Sequence, residues 1–324
     1  MKLQFNPNLD YQRHAIASVV DLFLGQTPNQ SNFTVSYMRG QIGVFDTQNG
    51  IGNRLELDEE DILRNLQAVQ LRNGLPQTRK LIRGQYDFDI EMETGTGKTY
   101  VYLRSIYELN KAYGFTKFVI VVPSLAIKEG VKTSLKLMLA HFKNIYDNII
   151  CESFVYDSSQ LDQVRNFAVS DNIQIMIINI DAFRRSFTDP SRETKANIIH
   201  RPNDKLNGMR PIELIRETNP FVIIDEPQSV DTTTKAKEAI ASLNPMCIFR
   251  YSATHVEKHN LIYKLDAVDA YELELVKQIE VAGFEAINAH NNAYVQLISV
   301  NNKKSPITAR VKIDVQGKDR KSVV

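Results

Sequence analysis

Short runs of hydrophobic residues, each bounded by polar or turn-forming residues, recur along the middle of the chain. The clearest runs cover 118–122, 173–180, 221–224 and 246–251, and a weaker candidate strand covers 87–92. Runs of this length are typical of strands that are buried on both faces, as in a parallel sheet. The stretches between them are helix-like and cover 98–111, 124–141, 157–169 and 232–242. Strands that alternate with helices predict an α/β fold built on a parallel sheet.

The residues before this core do not follow the alternation. A helix is predicted over 12–24, and residues 28–85 then intervene before the first core strand, so we interpret them as an insertion. Within it, the sequence Asn-Gly-Ile-Gly-Asn at 49–53 predicts a turn. Asp58 is placed to cap a helix over 61–71.

The C-terminal part changes character again. Residues 184–211 contain many charges and three prolines, which predicts a long surface loop. Short strands are predicted over 276–281, 294–300 and 309–315. Residues 301–324 contain seven Lys or Arg and two Asp or Glu, a local charge of +5. Solvated lysines on an edge strand explain such a run, and contact with nucleic acid is the alternative.

These patterns divide the chain into four predicted segments. They are an N-terminal helix in residues 1–27, an insertion in 28–85, the α/β core lobe in 86–260, and a connector with a small β-rich segment in 261–324.

The composition narrows the class of protein. The 324 residues include 39 Lys and Arg against 38 Asp and Glu, so any nucleic-acid contact must come from a local patch. The two cysteines, Cys151 and Cys247, give neither a disulfide framework nor a zinc motif. The first seven residues lack the apolar run of a signal peptide, and no apolar run is long enough to span a bilayer. We therefore expect a cytoplasmic protein with no membrane partner.

The strongest chemical signal is a glycine-rich loop that follows the strand at 87–92. It reads Glu93-Thr94-Gly95-Thr96-Gly97-Lys98-Thr99. Glycines let backbone N–H groups converge on an anion, and the helix that begins near Lys98 points its positive end at the same place. Lys98 can reach the β- and γ-phosphates of a nucleotide, and the Thr99 hydroxyl can hold Mg²⁺. Met92 stands where the strict P-loop pattern has glycine. A chance glycine turn is the alternative, which the flanking strand and helix argue against.

An acidic pair, Asp225 and Glu226, follows the apolar run at 221–224. Ligands of open α/β sheets lie at such strand ends. Asp225 would hold Mg²⁺, directly or through water, and Glu226 would orient and deprotonate an attacking water. By itself an acidic pair also occurs where a helix begins, and the glycine loop upstream favours the functional interpretation.

Two weaker signals depend on their position relative to these motifs. Ser252 and Thr254 follow the run at 246–251 and could bond to Gln228 or Glu226, which would couple hydrolysis to motion. An ordinary turn closed by a hydroxyl side chain is the alternative. Near the N-terminus, the Gln12 amide could read adenine with one donor and one acceptor, while Tyr11 stacks on the base.

Taken in order, these motifs resemble superfamily 2 helicases and translocases. The closer resemblance is to the restriction (Res) subunit of type III restriction–modification enzymes. That family has a loop like 91–100, a stretch like 117–124, an Asp-Glu-Pro-Gln box as at 225–228, and a Ser-Ala-Thr-His box as at 252–255. The resemblance runs across the whole chain.

The resemblance implies a RecA-like P-loop NTPase lobe that uses ATP and Mg²⁺ to move along, or switch on, double-stranded DNA. It also implies a methyltransferase subunit as partner. Pro123, Ser124 and residues 179–183 would face the DNA backbone.

The chain departs from the family in length. The family's subunit is several times longer, and its second RecA-like lobe, with an arginine that completes hydrolysis, and its nuclease have no counterpart in these 324 residues. We therefore expect the chain to contain only the first motor lobe and the start of the next region. It would then be a truncated gene product or an expressed fragment. The alternatives are an orphan superfamily 2 helicase-like ATPase of RNA or repair function, a non-catalytic fragment that binds DNA or a methyltransferase, and a P-loop kinase. No recognisable lid supports the kinase.

Overall fold

The computed structural model describes seven stretches of the chain. They are residues 5–39, 44–82, 86–182, 195–255, 257–277, 295–301 and 308–313. The chain separates into two compact units, Met1–Lys277 and Gln278–Val324. The boundaries predicted inside the first unit stay predictions.

The first unit is built on a seven-stranded sheet in which every neighbouring pair is parallel, in the order β5-β6-β4-β7-β8-β3-β9. Its strands are β3 (Asp87–Met92), β4 (Lys117–Val122), β5 (Cys151–Val155), β6 (Ile173–Asn179), β7 (Phe221–Asp225), β8 (Cys247–Ser252) and β9 (Asn260–Leu265). The five predicted core strands are confirmed. The weakly apolar strands β5 and β9 at the two sheet edges were not predicted, because edge strands need fewer buried residues.

Helices cover both faces of this sheet. They are α1 (Asp10–Val20), α2 (Glu59–Arg72), α3 (Lys98–Tyr113), α4 (Leu125–Ile145), α5 (Leu161–Val169), α6 (Pro211–Glu217), α7 (Pro227–Val230), α8 (Thr234–Ser242) and α9 (Ala267–Glu272). Alternate residues of β4, β6 and β7 enter different cores. In β4, Phe118 and Ile120 pack with α1, α3 and α4, whereas Val119 and Val121 pack with α5, α6 and α8. This explains the uninterrupted hydrophobic runs.

The predicted insertion contains an antiparallel hairpin of β1 (Gln30–Arg39) and β2 (Val44–Asn53), followed by α2. The turn predicted at 49–53 is wrong, because these residues lie within β2. Gly50 faces Phe33, and a Cβ there would lie 2.3 Å from the ring. Gly52 faces Ser31, with 2.5 Å between a Cβ and the hydroxyl oxygen. The glycines allow close packing.

Helix α2 is confirmed, and Asp58 caps it by accepting a hydrogen bond from Asp61 N–H at 2.9 Å. Its Gln70 side chain donates to the Leu261 carbonyl at 2.9 Å. This contact with β9 helps to cover an edge of the sheet. β9 ends at Leu265, five residues after position 260, where the core lobe was predicted to end.

The predicted surface loop at 184–211 is only partly described. Its described part contains two short 3₁₀ turns, Lys195–His200 and Asp204–Leu206. Ile199 and Leu206 are buried in the core on the α5 side, so this part of the region packs on the sheet layer and is not wholly a surface loop.

The second unit contains an antiparallel pair, β10 (Val295–Asn301) and β11 (Thr308–Ile313), which confirms the last two predicted strands. The strand predicted over 276–281 falls mostly outside the described residues, as does most of the basic segment.

Within the described ranges, no helix has the length and hydrophobicity to cross a membrane. Cys151 and Cys247 are both free thiols, and Cys247 is buried.

Lys117 is a buried cation at the start of β4. Its side chain is 0% exposed, its ammonium group hydrogen-bonds to the Ser170 carbonyl, and it lies 5.8 Å from the centre of the Phe167 ring. Burial lowers the pKa of Lys117 to about 7, although nearby Asp171 acts in the opposite direction. An unfolded lysine titrates near pH 10.4. Folding therefore releases protons between pH 7 and 10, and stability rises with pH across this window.

We expect Lys117→Met to be more stable than the wild type at pH 7, because it removes the cost of burying the charge. The advantage should shrink by about 2 kcal/mol between pH 7 and pH 9, as the wild-type lysine becomes neutral in the folded state. Urea unfolding of both proteins at each pH measures this difference. Lys111→Met, at an exposed position of α3, is the control. An advantage that stays constant with pH would contradict the prediction.

Candidate functional site

The candidate site lies where three neighbouring strands end. β7, β8 and β3 are adjacent in the sheet, and because they run parallel their carboxyl ends meet at one edge. Ligands of open α/β sheets bind at this edge. The glycine loop follows β3, the acidic pair begins at the last residue of β7, and Ser252 ends β8. The sheet order thus brings together motifs that are far apart in the sequence.

The glycine loop has the backbone of an anion-binding turn. Gly95 and Gly97 have φ values of +87° and +95°, a conformation that glycine adopts without strain. Thr96 closes the loop, since its N–H and hydroxyl donate to the Glu93 carbonyl at 3.2 and 2.6 Å. The Thr94 N–H donates to the Glu93 carboxylate at 2.7 Å. The loop leads directly into α3, whose first N–H groups lack partners within the helix.

Helix α1 supports this loop. The Tyr11 hydroxyl and the Gln12 amide both donate to the Thr96 carbonyl, each at 3.1 Å. Gln12 is 6% exposed, and a Cβ on Gly97 would lie 2.6 Å from its Nε2. The two side chains therefore hold the loop in place. The contacts with adenine that the sequence suggested for Gln12 and Tyr11 stay predictions.

Lys98 lies at the centre of the site. Its Nζ is 3.2 Å from Glu226 Oε1 and donates to the Met92 carbonyl at 3.3 Å. The side chain is 10% exposed, so this ion pair is largely shielded from water. A phosphate would have to replace Glu226 as the partner of Lys98.

The acidic pair occupies a constrained part of the backbone. Glu226 has a φ of +56°, uncommon for a residue with a side chain, and it is the N-cap that precedes α7. Its N–H donates to the Tyr251 carbonyl at 3.0 Å, which fixes it to the neighbouring strand β8. Strained backbone of this kind concentrates at functional sites. Burial, together with the adjacent Glu226 carboxylate, raises the pKa of Asp225 to about 6, and the Lys98 charge opposes the shift.

A chain of side-chain hydrogen bonds connects β7 with β8. The Gln228 amide donates to Glu226 Oε2 at 2.6 Å, and the Ser252 hydroxyl lies 3.0 Å from Gln228 Oε1. The same hydroxyl is 2.6 Å from the Thr254 carbonyl and accepts from the Thr254 N–H at 3.2 Å. The predicted contact between Ser252 and Gln228 is therefore present. The Thr254 side chain has no part in these bonds, and the coupling role stays a prediction.

The residues expected to face DNA lie at other strand ends of the same edge. Pro123 follows β4, and Ser124 caps α4 by accepting from the Ile127 N–H at 3.3 Å. Asn179 ends the neighbouring strand β6. Phe183, the last residue of the predicted segment 179–183, is outside the described residues. Their role toward DNA stays a prediction.

The oxygen donors at the site fit magnesium. Thr99 and Asp225 supply a hydroxyl and a carboxylate, the hard ligands that Mg²⁺ prefers, and a magnesium ion usually takes its other ligands from water and phosphate. Among the described residues, no group of three or more His, Cys, Asp or Glu is placed to hold a metal.

Sequence reasoning missed a buried cluster of one aspartate and two histidines on β3 and the segment after β8. Asp89 in β3 is 1% exposed and accepts from the His259 N–H at 2.6 Å. The imidazoles of His259 and His255 lie 3.3 and 3.8 Å from its other oxygen. Burial alone would raise the pKa of Asp89, but these partners outweigh it and the pKa is lowered. Asp87 and Asp89 alternate with the apolar Phe88 and Ile90, a pattern that could have predicted a polar face on β3.

The parallel sheet, glycine loop and acidic pair define an α/β P-loop NTPase lobe. The family model described as "Type III restriction enzyme, res subunit" matches residues 8–257, and the chain belongs to this family.

Curated relatives agree with this assignment. The chain is 31% identical over 287 residues to the type III restriction-modification enzyme EcoP15I Res subunit of Escherichia coli, covering 84% of this chain and 28% of that protein. It is 30% identical over 299 residues to the EcoPI Res subunit of Escherichia phage P1, covering 85% and 28%. The chain thus spans 28% of the length of each relative.

Among solved structures, the chain is similar to the Sulfolobus solfataricus SWI2/SNF2 ATPase core in complex with dsDNA. The TM-score is 0.33 at 13% identity, over 60% of this chain and 31% of that chain. This likeness is too low to bear on function.

Proposed function

We propose that the chain is the ATP-binding motor lobe of a type III restriction enzyme Res subunit. The observation that carries the proposal is the meeting of Lys98 with Glu226, with 3.2 Å between Nζ and Oε1, at the mouth of the glycine loop. A lysine on the first turn of a helix after such a loop, close to an acidic pair at the end of β7, is suited to a nucleoside triphosphate.

Binding begins with an exchange of anions. In the free protein, the Glu226 carboxylate forms an ion pair with Lys98, and the Glu93 carboxylate accepts a hydrogen bond from the Thr94 N–H. The phosphates of ATP would take both positions, and Lys98 would then contact the β- and γ-phosphates. Gly95 and Gly97 allow the backbone to approach the phosphates closely.

Thr99 and Asp225 would hold magnesium, which neutralises charge on the phosphate oxygens when bound. Glu226, released from Lys98, would orient a water molecule in line with the γ-phosphate and accept its proton. Gln228 holds the other oxygen of the Glu226 carboxylate at 2.6 Å and so limits its rotation. Because Gln228 also contacts Ser252, a movement of the Glu226 side chain would be passed on to the end of β8.

We further propose that the lobe acts on double-stranded DNA together with a methyltransferase subunit. Support comes from membership of the Res family and from the position of Pro123 and Ser124 on the same edge of the sheet as the glycine loop. A second RecA-like lobe and a nuclease would belong to the same machinery.

Fluorescent ATP tests the nucleotide proposal. The chain should bind it more tightly with Mg²⁺ than without, and unlabelled ATP should displace it. AMP should displace it poorly, since Lys98 and the glycine loop act on the β- and γ-phosphates, which AMP lacks. Equal competition by AMP, or no binding, would favour the alternative of a module that binds DNA or a methyltransferase without nucleotide.

We expect slow ATP hydrolysis by the 324-residue chain on its own, with or without double-stranded DNA. In related NTPases an arginine from a facing element contributes roughly 10³–10⁵ in rate, and the proposal places that arginine in the second lobe. Phosphate release, measured with and without a DNA duplex, checks this. Rapid turnover stimulated by DNA would contradict it, as would DNA cleavage by the chain alone.

A further inference from the structure

A buried arginine connects the two halves of the candidate site. Arg250 lies in β8, the strand between β7 and β3, and its side chain is 6% exposed. Its Nε and Nη2 each lie 2.8 Å from Asp231 Oδ2. Its Nη1 lies 3.4 Å from Asp87 Oδ1 in β3, an ion pair that lacks the geometry of a hydrogen bond. One guanidinium group therefore joins the strand that leads to the glycine loop with the segment that follows the acidic pair.

Asp231 transmits this contact to the short helix α7. It is the residue directly after α7, and its N–H donates to the Pro227 carbonyl at 2.7 Å, which closes the helix. The helix has four residues, among them Gln228, and Glu226 precedes it as the N-cap. A shift of Asp231 would therefore move the whole of α7, and with it the carboxylate that we propose as the base.

The other contacts of α7 restrain its direction less. Val230 packs in the core on the α5 side, and apolar contacts have no preferred direction. Ser252 lies on the same face of β8 as Arg250 and contacts Gln228 through a neutral hydrogen bond of 3.0 Å. The bonds of a planar guanidinium to a carboxylate are charged, stronger and fixed in direction. Among these contacts, the one from Arg250 therefore fixes the orientation of α7 most strongly.

We propose that Arg250 is a positioning residue for hydrolysis: anchored beside Asp87, it holds Asp231 and α7 so that Glu226 stays opposite the glycine loop. Arg250 acts only through Asp231 and α7. Its effect falls on the rate of hydrolysis and not on the binding of ATP, which depends on the glycine loop and Lys98. This inference rests on the proposed function.

The test removes both charges at once, in the variant Arg250→Met/Asp231→Asn. Replacement of a buried ion pair by uncharged residues is often neutral for stability, whereas removal of one partner leaves an uncompensated charge. Asp87 is 19% exposed and keeps its contact with water. Urea unfolding should therefore match the wild type. The control is Arg72→Met/Asp21→Asn, which removes an ion pair of 2.5 Å between α2 and the turn after α1.

Hydrogen exchange and hydrolysis report separately on α7 and on Glu226. In Arg250→Met/Asp231→Asn, we expect the amides of 226–231 to exchange about tenfold faster, because this segment opens more easily. Single-turnover hydrolysis, with the chain in excess over labelled ATP, should fall roughly 10- to 100-fold, as expected for a misplaced reacting group. The affinity for Mg·ATP should be unchanged, and the control should match the wild type in every measurement.

The Glu226→Gln background shows through which group Arg250 acts. There the double replacement should cause no further loss of rate, because the carboxylate that it positions is gone. A further loss of the same size, wild-type exchange over 226–231, or a loss of ATP affinity as large as the loss of rate would each overturn the role of Arg250 and leave the proposed function intact. Absence of ATP binding by the wild type would overturn both.

Discussion

Replacing Lys98 by alanine is expected to weaken binding of Mg·ATP by about 100-fold or more. The ammonium group is largely shielded from water and pairs with Glu226 in the free protein. On binding it would pair with phosphate, and loss of one partner of a shielded charge pair costs about 2–5 kcal/mol. Removal of Lys98 also leaves Glu226 and Asp225 as uncompensated acids that repel the triphosphate. Titration of fluorescent ATP with each protein, in excess Mg²⁺, measures the change.

Lys111→Ala provides the matched control, since it removes the same charge from the other end of α3 at an exposed position. It should bind ATP as the wild type does, and both variants should keep the wild-type helical signal in circular dichroism. Equal affinity of the wild type and Lys98→Ala would reject the P-loop interpretation of the glycine loop. In that case the non-catalytic alternative, a module for DNA or for a methyltransferase, would stand.

Glu226→Gln is expected to separate binding from hydrolysis. The amide cannot accept the proton of the attacking water, and loss of a general base reduces rates by roughly 10²–10⁴. The same change removes the carboxylate that competes with phosphate for Lys98. ATP binding should therefore be at least as tight as in the wild type. Single-turnover experiments with the chain in excess over labelled ATP, followed for hours, measure hydrolysis beside the binding titration.

The control for this variant is Glu238→Gln, which changes an exposed glutamate on α8. It should alter neither measurement. Unchanged hydrolysis by Glu226→Gln would move the role of base to another group. Weaker binding would show that the Lys98–Glu226 ion pair supports the site and does not compete with ATP.

The two variants together test one property of the free protein: the groups that we propose to bind phosphate are already paired with carboxylates. Lys98 is held by Glu226, and the Thr94 N–H is held by Glu93. The arrangement avoids a buried, unpaired lysine, which would be costly. It also reduces affinity for weak anions, because a ligand must supply more charge than the carboxylate that it displaces.

Much of the fold follows from local sequence pattern. The central strands β4, β6 and β7 are largely hydrophobic, since both of their faces are covered, whereas β3 alternates acidic and apolar residues. The limits of all five central strands agree with the prediction to within a few residues. The glycine loop was also predicted, because Gly95 and Gly97 adopt a backbone that other residues disfavour. The predicted turn at Gly50 and Gly52 was wrong for a related reason: a glycine indicates close approach as well as a turn, and only the partner strand decides which.

The amino-acid sequence by itself determined which segments form most of the strands and helices and which carry the glycine loop and the acidic pair, because these properties depend on residues within one short window. Only the tertiary structure decided the strand order and the helix packing, which bring Lys98 to Glu226 and Gln12 to the Thr96 carbonyl. It also decided that Lys117 is buried with a lowered pKa. Contacts between distant residues depend on how all the layers pack at once, and no local pattern encodes that.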